Sequence, residues 1–350
     1  MKKLIYDLDF EDLAALIKVW GQPEYRAKQI WQGLYQQFWS LADEFTTLPA
    51  ALRRQLEASF TFGNLHLQIR HYSTDGETQK ALFTLPDGNA IETVQMRYAT
   101  RRTVCISTQA GCAMGCVFCA TGQMGFRRNL SSGEIAEQVL FFARQLREED
   151  ERVTNVVLMG MGEPFHNYDE SLAAVERLSH PEGFNLGARR FTISTVGLVP
   201  GIRRFTAEKR QTGLAISLHA ADDELRASML PVNQRFPIRD VLNACRDYVA
   251  QTGRRVTFEW ALIRDVNDTR EQANKLAELL KNMNCHVNVI PLNPTRGYKG
   301  QRSTREQVAA FRDILLAAGV SCTVRVRRGI DIQAGCGQLA EKASAQAQAA

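Results

Sequence analysis

The chain has 350 residues, 45% of them hydrophobic and 23% charged, a balance that fits a folded protein of about two domains or one large barrel and excludes a disordered chain. No apolar run approaches the roughly 18 residues of a membrane span, and the opening MKKLIYDLDFEDL lacks the apolar stretch of a signal peptide, so a cytoplasmic protein without membrane contact is expected. A net charge of +5 names no partner by itself. Yet six basic residues stand against one acid between Arg189 and Arg210, and eight against two between Thr295 and Ile330. These clusters lean toward a polyanionic partner, with solvated helix faces as the plain alternative.

From 1 to 60, Leu13, Leu16, Ile17 and Trp20 recur at helical spacing, and Pro23 and Pro49 punctuate what reads as a small domain of short amphipathic helices. Over 61–100 the period shortens to that of strands. Segments 65–72, 79–85 and 90–96, the last two joined by a PDGN turn at 86–89, predict a β-extension. From 101 to 330 strands alternate with helices. The strand candidates are 104–108, 155–161, 190–195, 214–220, 256–263 and 286–293, and the helical stretches include 132–146, 168–178, 238–251, 269–281 and 304–318. Nearly continuous apolar strands separated by helices of ten or more residues imply a parallel sheet covered by helices. Six such units predict an α/β fold, a partial (β/α)6 TIM-like barrel, followed by a closing segment over 331–350.

In parallel α/β folds the chemistry gathers at the carboxyl ends of the strands, and here QAGCAMGCVFC, GMGEP, TVG, SLHA and PLNP stand at those ends. The first places Cys112, Cys116 and Cys119 in a CxxxCxxC spacing on one loop. Eight cysteines in a reducing compartment do not suit a disulfide framework, so they raise the question of metal or catalysis. Three thiolates on a short loop hold three irons of a [4Fe-4S] cluster and leave the fourth open to an exogenous ligand. A structural zinc site usually takes four ligands from paired CxxC motifs, which this chain lacks, and three buried reduced thiols are the plainest alternative. Gly160 and Gly162 permit close backbone approach to a ligand, and Glu163 offers a carboxylate to an ammonium, although GMGE is equally a tight turn.

The CxxxCxFC motif, with Phe118 before its third cysteine, resembles that of the radical S-adenosylmethionine (SAM) superfamily. The strings ETVQM, CISTQAGCAMGCVFCATGQMGFRRNL, MGMGEP, ISTVG, SLHA, FEWALI, VNVIPLNP and RVRRGIDIQAGCGQL resemble the RlmN/Cfr family of RNA adenosine methyltransferases. Pro164 in MGMGEP, and Arg327 and Arg328 in RVRRGIDI, side with its C2-methylating branch. The resemblance implies a radical SAM barrel whose [4Fe-4S] cluster, on Cys112, Cys116 and Cys119, binds SAM at the open iron, two SAM molecules being used per turnover. It carries cofactor contacts over to Gly162, Glu163, Ser194, Ser217, Leu218, His219 and Asn293.

The resemblance further makes Cys336, in segment 331–350, the acceptor of a methyl group that is relayed to C2 of adenosine 2503 in 23S rRNA and adenosine 37 in tRNAs. Adenine C2 has no lone pair with which to attack a sulfonium, so a radical route is chemically sensible. Cys105 is implied as the thiol that resolves the protein–RNA adduct through a transient disulfide, and Glu92 as the general base. An electron donor such as flavodoxin or ferredoxin, a thiol reductant and an RNA-binding role for 1–60 are implied as well, and one active site needs only a monomer. Without the resemblance, Glu92 reads as an exposed strand carboxylate, Cys105 and Cys336 as buried thiols, and His219 as a satisfied rim histidine. Cys245, Cys285 and Cys322 read as core thiols, and Arg127, Arg128, Arg325, Arg327 and Arg328 as candidate phosphate contacts. The rival activities are Cfr-like methylation at C8 of the same rRNA adenine and a non-catalytic iron–sulfur RNA-binding or sensor protein.

Overall fold

The computed structural model describes residues 2–325 and 328–339. Its N-terminal unit comprises α1 (Phe10–Val19), α2 (Tyr25–Tyr35) and α3 (Ala50–Ser59), tied off where β1 (Lys3–Leu4) pairs in parallel with β2 (Phe60–Thr61). Asp9 caps α1 by accepting from the Asp12 amide at 2.7 Å, and Leu13 and Ile17 turn inward. Trp31 and Tyr35 of α2 are enclosed, with ring centroids 4.4 Å apart. The unit is docked, because the Arg177 guanidinium donates to the carbonyls of Asp7 and Leu8, and the Gly133 amide donates to Asp7 Oδ1 at 3.0 Å. A Cβ on Gly133 would lie 2.6 Å from that oxygen, so the approach depends on glycine.

The remainder is built on a ten-stranded sheet. β3 (His66–Tyr72), β4 (Thr78–Thr84), β5 (Ala90–Tyr98) and β6 (Arg101–Cys105) are antiparallel neighbours. The PDGN turn closes the β4–β5 hairpin as expected, with Gly88 at φ +82° and its amide donating to Leu85 O at 2.9 Å. A small hairpin of β7 (Gln109–Gly111) and β8 (Phe126–Asn129) brackets the short α4 (Ala120–Met124). Then come α5 (Ser132–Glu148), β9 (Asn155–Leu158), α6 (Tyr168–Ser179), β10 (Phe191–Thr195), α7 (Val199–Ala207) and β11 (Gly213–Ser217). The chain continues through α8 (Asp223–Met229), α9 (Ile238–Thr252), β12 (Val256–Leu262), α10 (Arg270–Leu280), β13 (Cys285–Pro291), α11 (Arg305–Ala317) and β14 (Cys322–Val324).

β6 pairs in parallel with β9, and β9 through β14 follow as parallel neighbours in chain order. All six expected barrel strands are therefore present in the expected order, and β14, three residues long, adds a seventh. The sheet stays open, with β14 at one edge and β3 at the other, which makes the barrel partial. The β-extension continues this sheet, since β5 runs against β6 with Val94 opposite Cys105. No described helix is long and apolar enough to cross a membrane.

Candidate active site

The carboxyl ends of the parallel strands open onto a cavity of about 140 Å³. Cys112, Cys116, Cys119, Gly162, Glu163, Ser194, Ser217, His219, Asn293 and Cys336 all line it. The cysteine loop is held at three points: Cys112 N–H donates to Gly125 O at 2.9 Å, Val117 N–H to Met229 O at 3.0 Å, and Ala120 N–H to Gly337 O at 2.8 Å. Burial pushes the Cys112 thiol up to about 12 and raises those of Cys116 and Cys119 too, so on their own the three stay protonated. A group whose irons displace those protons fits this donor set. Among the described residues no three side chains converge as ligands of a single ion; the thiols share a cavity instead, and a cubane takes its thiolates at separate corners.

The opposite wall is suited to a zwitterionic ligand. The Glu163 carboxylate accepts from the amides of Phe165 at 3.0 Å and Val196 at 2.9 Å, yet burial pushes it up to about 7, and an ammonium beside it would favour the ionised form. The Ser194 and Ser217 hydroxyls face each other at 3.4 Å. His219 sits at φ +62°, and its Nδ1 accepts from the Ala261 amide at 2.9 Å. That bond leaves the ring proton on Nε2, and burial lowers the pKa to about 3, so the imidazole is a neutral donor of fixed tautomer. Asn293 Nδ2 donates to Cys336 O at 3.1 Å, while its Oδ1 is buried without a hydrogen-bond partner among the described residues, an acceptor that a ligand donor would satisfy.

Two expectations need correction and one is widened. Leu218 does not line the cavity: its side chain is buried in the core, its N–H donates to Glu259 O, and its carbonyl accepts from Ala220 N and Arg226 Nε. Gly160 and Gly162 both line the cavity, and they also permit close approach to the protein itself, since Cβ atoms there would lie 2.7 Å from Ile106 O and from Gln109 Cβ. Glu92 is buried rather than exposed, lines neither this cavity nor the one described next, and holds the Lys80 ammonium at 2.9 Å. One residue with no local sequence signal matters here: buried Arg226 donates to the carbonyls of Val196, Leu218 and Phe236 and to Asn233 Oδ1, which fixes the loops that carry the serines and His219.

A second cavity, of about 40 Å³, shares Met159, Ile290, Asn293, Cys336 and Leu339 with the first and adds Cys105, Arg325 and Arg328. Burial and the neighbouring Cys336 push the Cys105 thiol up to about 12, and burial raises that of Cys336; in both cases the Arg325 guanidinium pulls the other way. Cys336 is exposed overall while its thiol is crowded by protein. Its arm is pinned on several sides: the Thr74 N–H and hydroxyl donate to Asp331 Oδ2 at 2.7 and 2.8 Å, Lys80 Nζ to Gln333 O at 3.3 Å, Thr121 Oγ1 to Leu339 O at 2.7 Å, and Gln338 Nε2 to Pro294 O at 2.9 Å.

Among the arginines considered for phosphate contact, Arg128 is engaged by Asp87 and Glu134, Arg328 lies near Asp75 and Glu77, and Arg127 is exposed. Arg327 lies outside the described residues. Cys245, Cys285 and Cys322 are buried.

Residues 106–280 match the family model of the Radical SAM superfamily, and residues 4–61 match that of the ribosomal RNA large subunit methyltransferase N-terminal domain. The chain is 50% identical to the probable dual-specificity RNA methyltransferase RlmN of Chloroflexus aurantiacus, over 98% of this chain and 94% of that protein. It is 51% identical to the dual-specificity RNA methyltransferase RlmN 1 of Myxococcus xanthus, over 96% of this chain and 93% of that protein. The crystal structure of a radical SAM methyltransferase from Sphaerobacter thermophilus matches with a TM-score of 0.94 at 49% identity, covering 96% of this chain and 99% of that one.

Proposed function

The chain belongs to the RlmN family of radical SAM RNA methyltransferases, and from that premise we propose that it methylates C2 of adenosine 2503 in 23S rRNA and of adenosine 37 in tRNAs, relaying the methyl group through Cys336. Family membership implies a [4Fe-4S] cluster and SAM. The observation that supports the relay is the meeting of Cys105 and Cys336 in one cavity that adjoins the cysteine-lined one. A sensor protein has no use for that pair.

In this reading Cys112, Cys116 and Cys119 hold the cluster, and Gly162, Glu163, Ser194, Ser217, His219 and Asn293 receive SAM, the Glu163 carboxylate serving its ammonium. When bound, the reduced cluster supplies one-electron cleavage of SAM and thereby a carbon radical able to take hydrogen from an S-methyl group. Cys336 acts first as a thiolate: Sγ attacks the sulfonium methyl of one SAM, and S-adenosylhomocysteine leaves. Arg325 favours that thiolate. After hydrogen loss the methylene carbon on Sγ bonds C2 of the adenine, and the unpaired electron this leaves on the ring is returned to the oxidised cluster as the C2 proton departs, giving a closed-shell thioether. Glu92 is the proposed acceptor of the C2 proton, which requires its Lys80 partner to move aside as RNA enters. Cys105 Sγ then attacks Cys336 Sγ, the carbon–sulfur bond breaks toward carbon, and that carbon takes a proton to become the methyl group. The disulfide left behind is opened by a thiol reductant, and an external donor such as flavodoxin or ferredoxin supplies the electron.

Mass spectrometry of adenosines from rRNA and tRNA tests the reading, after anaerobic incubation with reconstituted protein, SAM and a reductant. 2-Methyladenosine in both RNAs is the expected result. 8-Methyladenosine would move the activity to the sister branch, and unmodified RNA beside an intact cluster would overturn the relay.

A further inference from the structure

Arg189 and Arg190, which open the first basic cluster, do not border the active-site cavity. Parallel strands put all their carboxyl ends on one face, and Arg152, Arg189, Arg190, Arg254 and Arg255 lie just ahead of the first residues of β9, β10 and β12. They therefore occupy the opposite face, about 17 Å away for a five-residue strand before any loop is counted. There a groove of about 1010 Å³ runs between the end of α2 and the segment 183–190. Its walls carry Arg147, Arg152, Arg189 and Arg190 together with Phe38 and Phe184, whose ring centroids are 6.0 Å apart. A further cavity of about 620 Å³ shares Arg189 and Gln211 with it and extends the basic surface to Arg254 and Arg255.

The charge on this face is available in a way that other arginine clusters are not. Arg204 and Arg210 are engaged by Asp169, Glu176 and Glu208. The acid on the groove wall, Glu151, is taken by Arg97 and Arg102. By contrast Arg152 and Arg190 are exposed and have no acidic or hydrogen-bonding side-chain partner among the described residues. Among the described residues the Arg189 side chain donates only to the amide oxygen of Gln211, at 3.3 and 3.4 Å. The aromatic wall is fixed rather than loose. Phe38 is half-buried at φ +59°, an uncommon backbone for a bulky residue, and its carbonyl is held by Arg144 Nε at 2.8 Å.

We propose that this groove is a second RNA contact, which grips the substrate's sugar–phosphate backbone on the face remote from the target adenosine. Arg152, Arg189 and Arg190 take phosphates, and the part of the Phe38–Phe184 wall left open beside Arg147, whose guanidinium lies 5.9 Å from the Phe38 ring centroid, takes an unpaired base, the pairing of guanidiniums with aromatic platforms that suits single-stranded RNA. The proposal rests on the reading of the protein as an RNA methyltransferase and adds to it a determinant of substrate size: RNA that reaches around the barrel gains contacts that a short hairpin lacks. Charge alone would equally suit an acidic protein, and the aromatic wall is what favours RNA.

The test compares wild type with the Arg152→Glu/Arg190→Glu double variant, whose two residues make no side-chain contact that folding depends on. Binding of a full-length tRNA transcript and of an rRNA domain transcript is measured against salt concentration, beside a hairpin too short to span both faces. The variant is expected to lose on the order of tenfold in affinity for the long RNAs, and its salt slope to fall by about 1.4 to 1.8, the contribution of two phosphate contacts. Hairpin binding, thermal midpoint and RNA-independent SAM cleavage are expected to stay at wild-type values. Unchanged affinity and slope for the long RNAs would overturn the proposal and return the groove to a protein partner, and an equal loss on the hairpin would overturn it as well. If the wild type itself binds and methylates no RNA, the RNA-substrate reading fails, and that result is distinct from wild-type binding matched by the variant.

Discussion

Both cavities at the strand ends are lined by thiols that burial raises, but they differ in the charges set beside those thiols. In the larger one burial raises Cys112, Cys116 and Cys119; neighbouring thiols and the Glu163 carboxylate add to this at Cys112 and Cys116, while hydrogen bonds from the Met114 amide to Cys112 and from Thr121 and Gly122 to Cys119 pull the other way. Arg226 opposes this at Cys116, yet its guanidinium donates to surrounding carbonyls and to Asn233. In the smaller cavity burial likewise raises Cys105, to about 12, and Cys336, but Arg325 stands beside both and offsets part of that rise. The difference matches the roles proposed for the two sets. A thiol destined for iron needs no help to ionise, because the metal displaces its proton. A thiol that must attack a sulfonium methyl needs its negative charge beforehand.

The largest effects come from deleting a thiol of either set, and the two sets are expected to fail differently. Cys112→Ala, Cys116→Ala or Cys119→Ala removes the bound iron and sulfide and, with them, all methylation; full iron content in any of these variants would break the ligand assignment. Cys336→Ala keeps its iron and loses turnover. Cys105→Ala also keeps its iron but halts with RNA covalently attached, visible as a slow band on a denaturing gel. Methylation at the wild-type rate by either variant would refute the relay.

Arg325→Met probes the cation itself. Without the guanidinium, Cys336 keeps the upward push of burial and of the Glu259 carboxylate, so less thiolate is present at any given pH. The rate of Cys336 methylation by SAM, followed by intact mass, is expected to fall about tenfold at neutral pH for each unit that the thiol rises, and to recover as the pH is raised. A profile superimposable on that of the wild type would show that Arg325 does not tune the thiol.

His219 gives a smaller effect that is read in stability. Its folded pKa, about 3, lies far below the ordinary imidazole value of 6.5, so below pH 6.5 the unfolded chain takes up a proton that the fold refuses. The neutral ring's contribution is therefore present above about pH 6.5 and lost as the pH falls toward 3. His219→Asn retains an acceptor for the Ala261 amide and tolerates the left-handed backbone. In urea titrations from pH 7 down to pH 4, the wild type is expected to lose up to about 3 kcal/mol more than this variant; parallel loss would mean that His219 is not held neutral.

Much of this architecture is legible because parallel strands covered on both faces are written as apolar runs, and because Cys112, Cys116 and Cys119 crowd one loop. Shorter elements are not. β14 has three residues, α8 has seven, and α7 opens on Val199, Pro200 and Gly201, which read as a turn. The run Ser217, Leu218, His219 is instructive: Ser217 ends β11 and His219 follows at a left-handed φ of +62°, so both reach the cavity while Leu218 between them is buried in the core. Arg226 and the Cys105–Cys336 cavity have no local signature, because their partners come from distant elements that only the fold brings together. The location of the basic cluster from Arg189 was not legible for a related reason: counting charges along the chain does not say at which end of a strand they fall.

The smallest expected effect concerns the arm that joins the two cavities. Thr121, next to the cysteine loop and almost wholly buried, donates its hydroxyl to Leu339 O at 2.7 Å, and the Ala120 amide donates to Gly337 O at 2.8 Å. Thr121→Val keeps the volume and removes the hydroxyl, which leaves the Leu339 carbonyl without that donor at a cost of about 1 kcal/mol. If the arm docks as a unit, this loss appears as local opening. Hydrogen exchange at the Ala120 amide should then quicken roughly fivefold, with no change at amides within the barrel helices. Iron content should remain that of the wild type, because the cysteine ligands are untouched. An unaltered Ala120 exchange rate would mean that Thr121 does not hold the arm, and that the Lys80 and Asp331 contacts from the β-extension suffice to keep Cys336 between the two cavities.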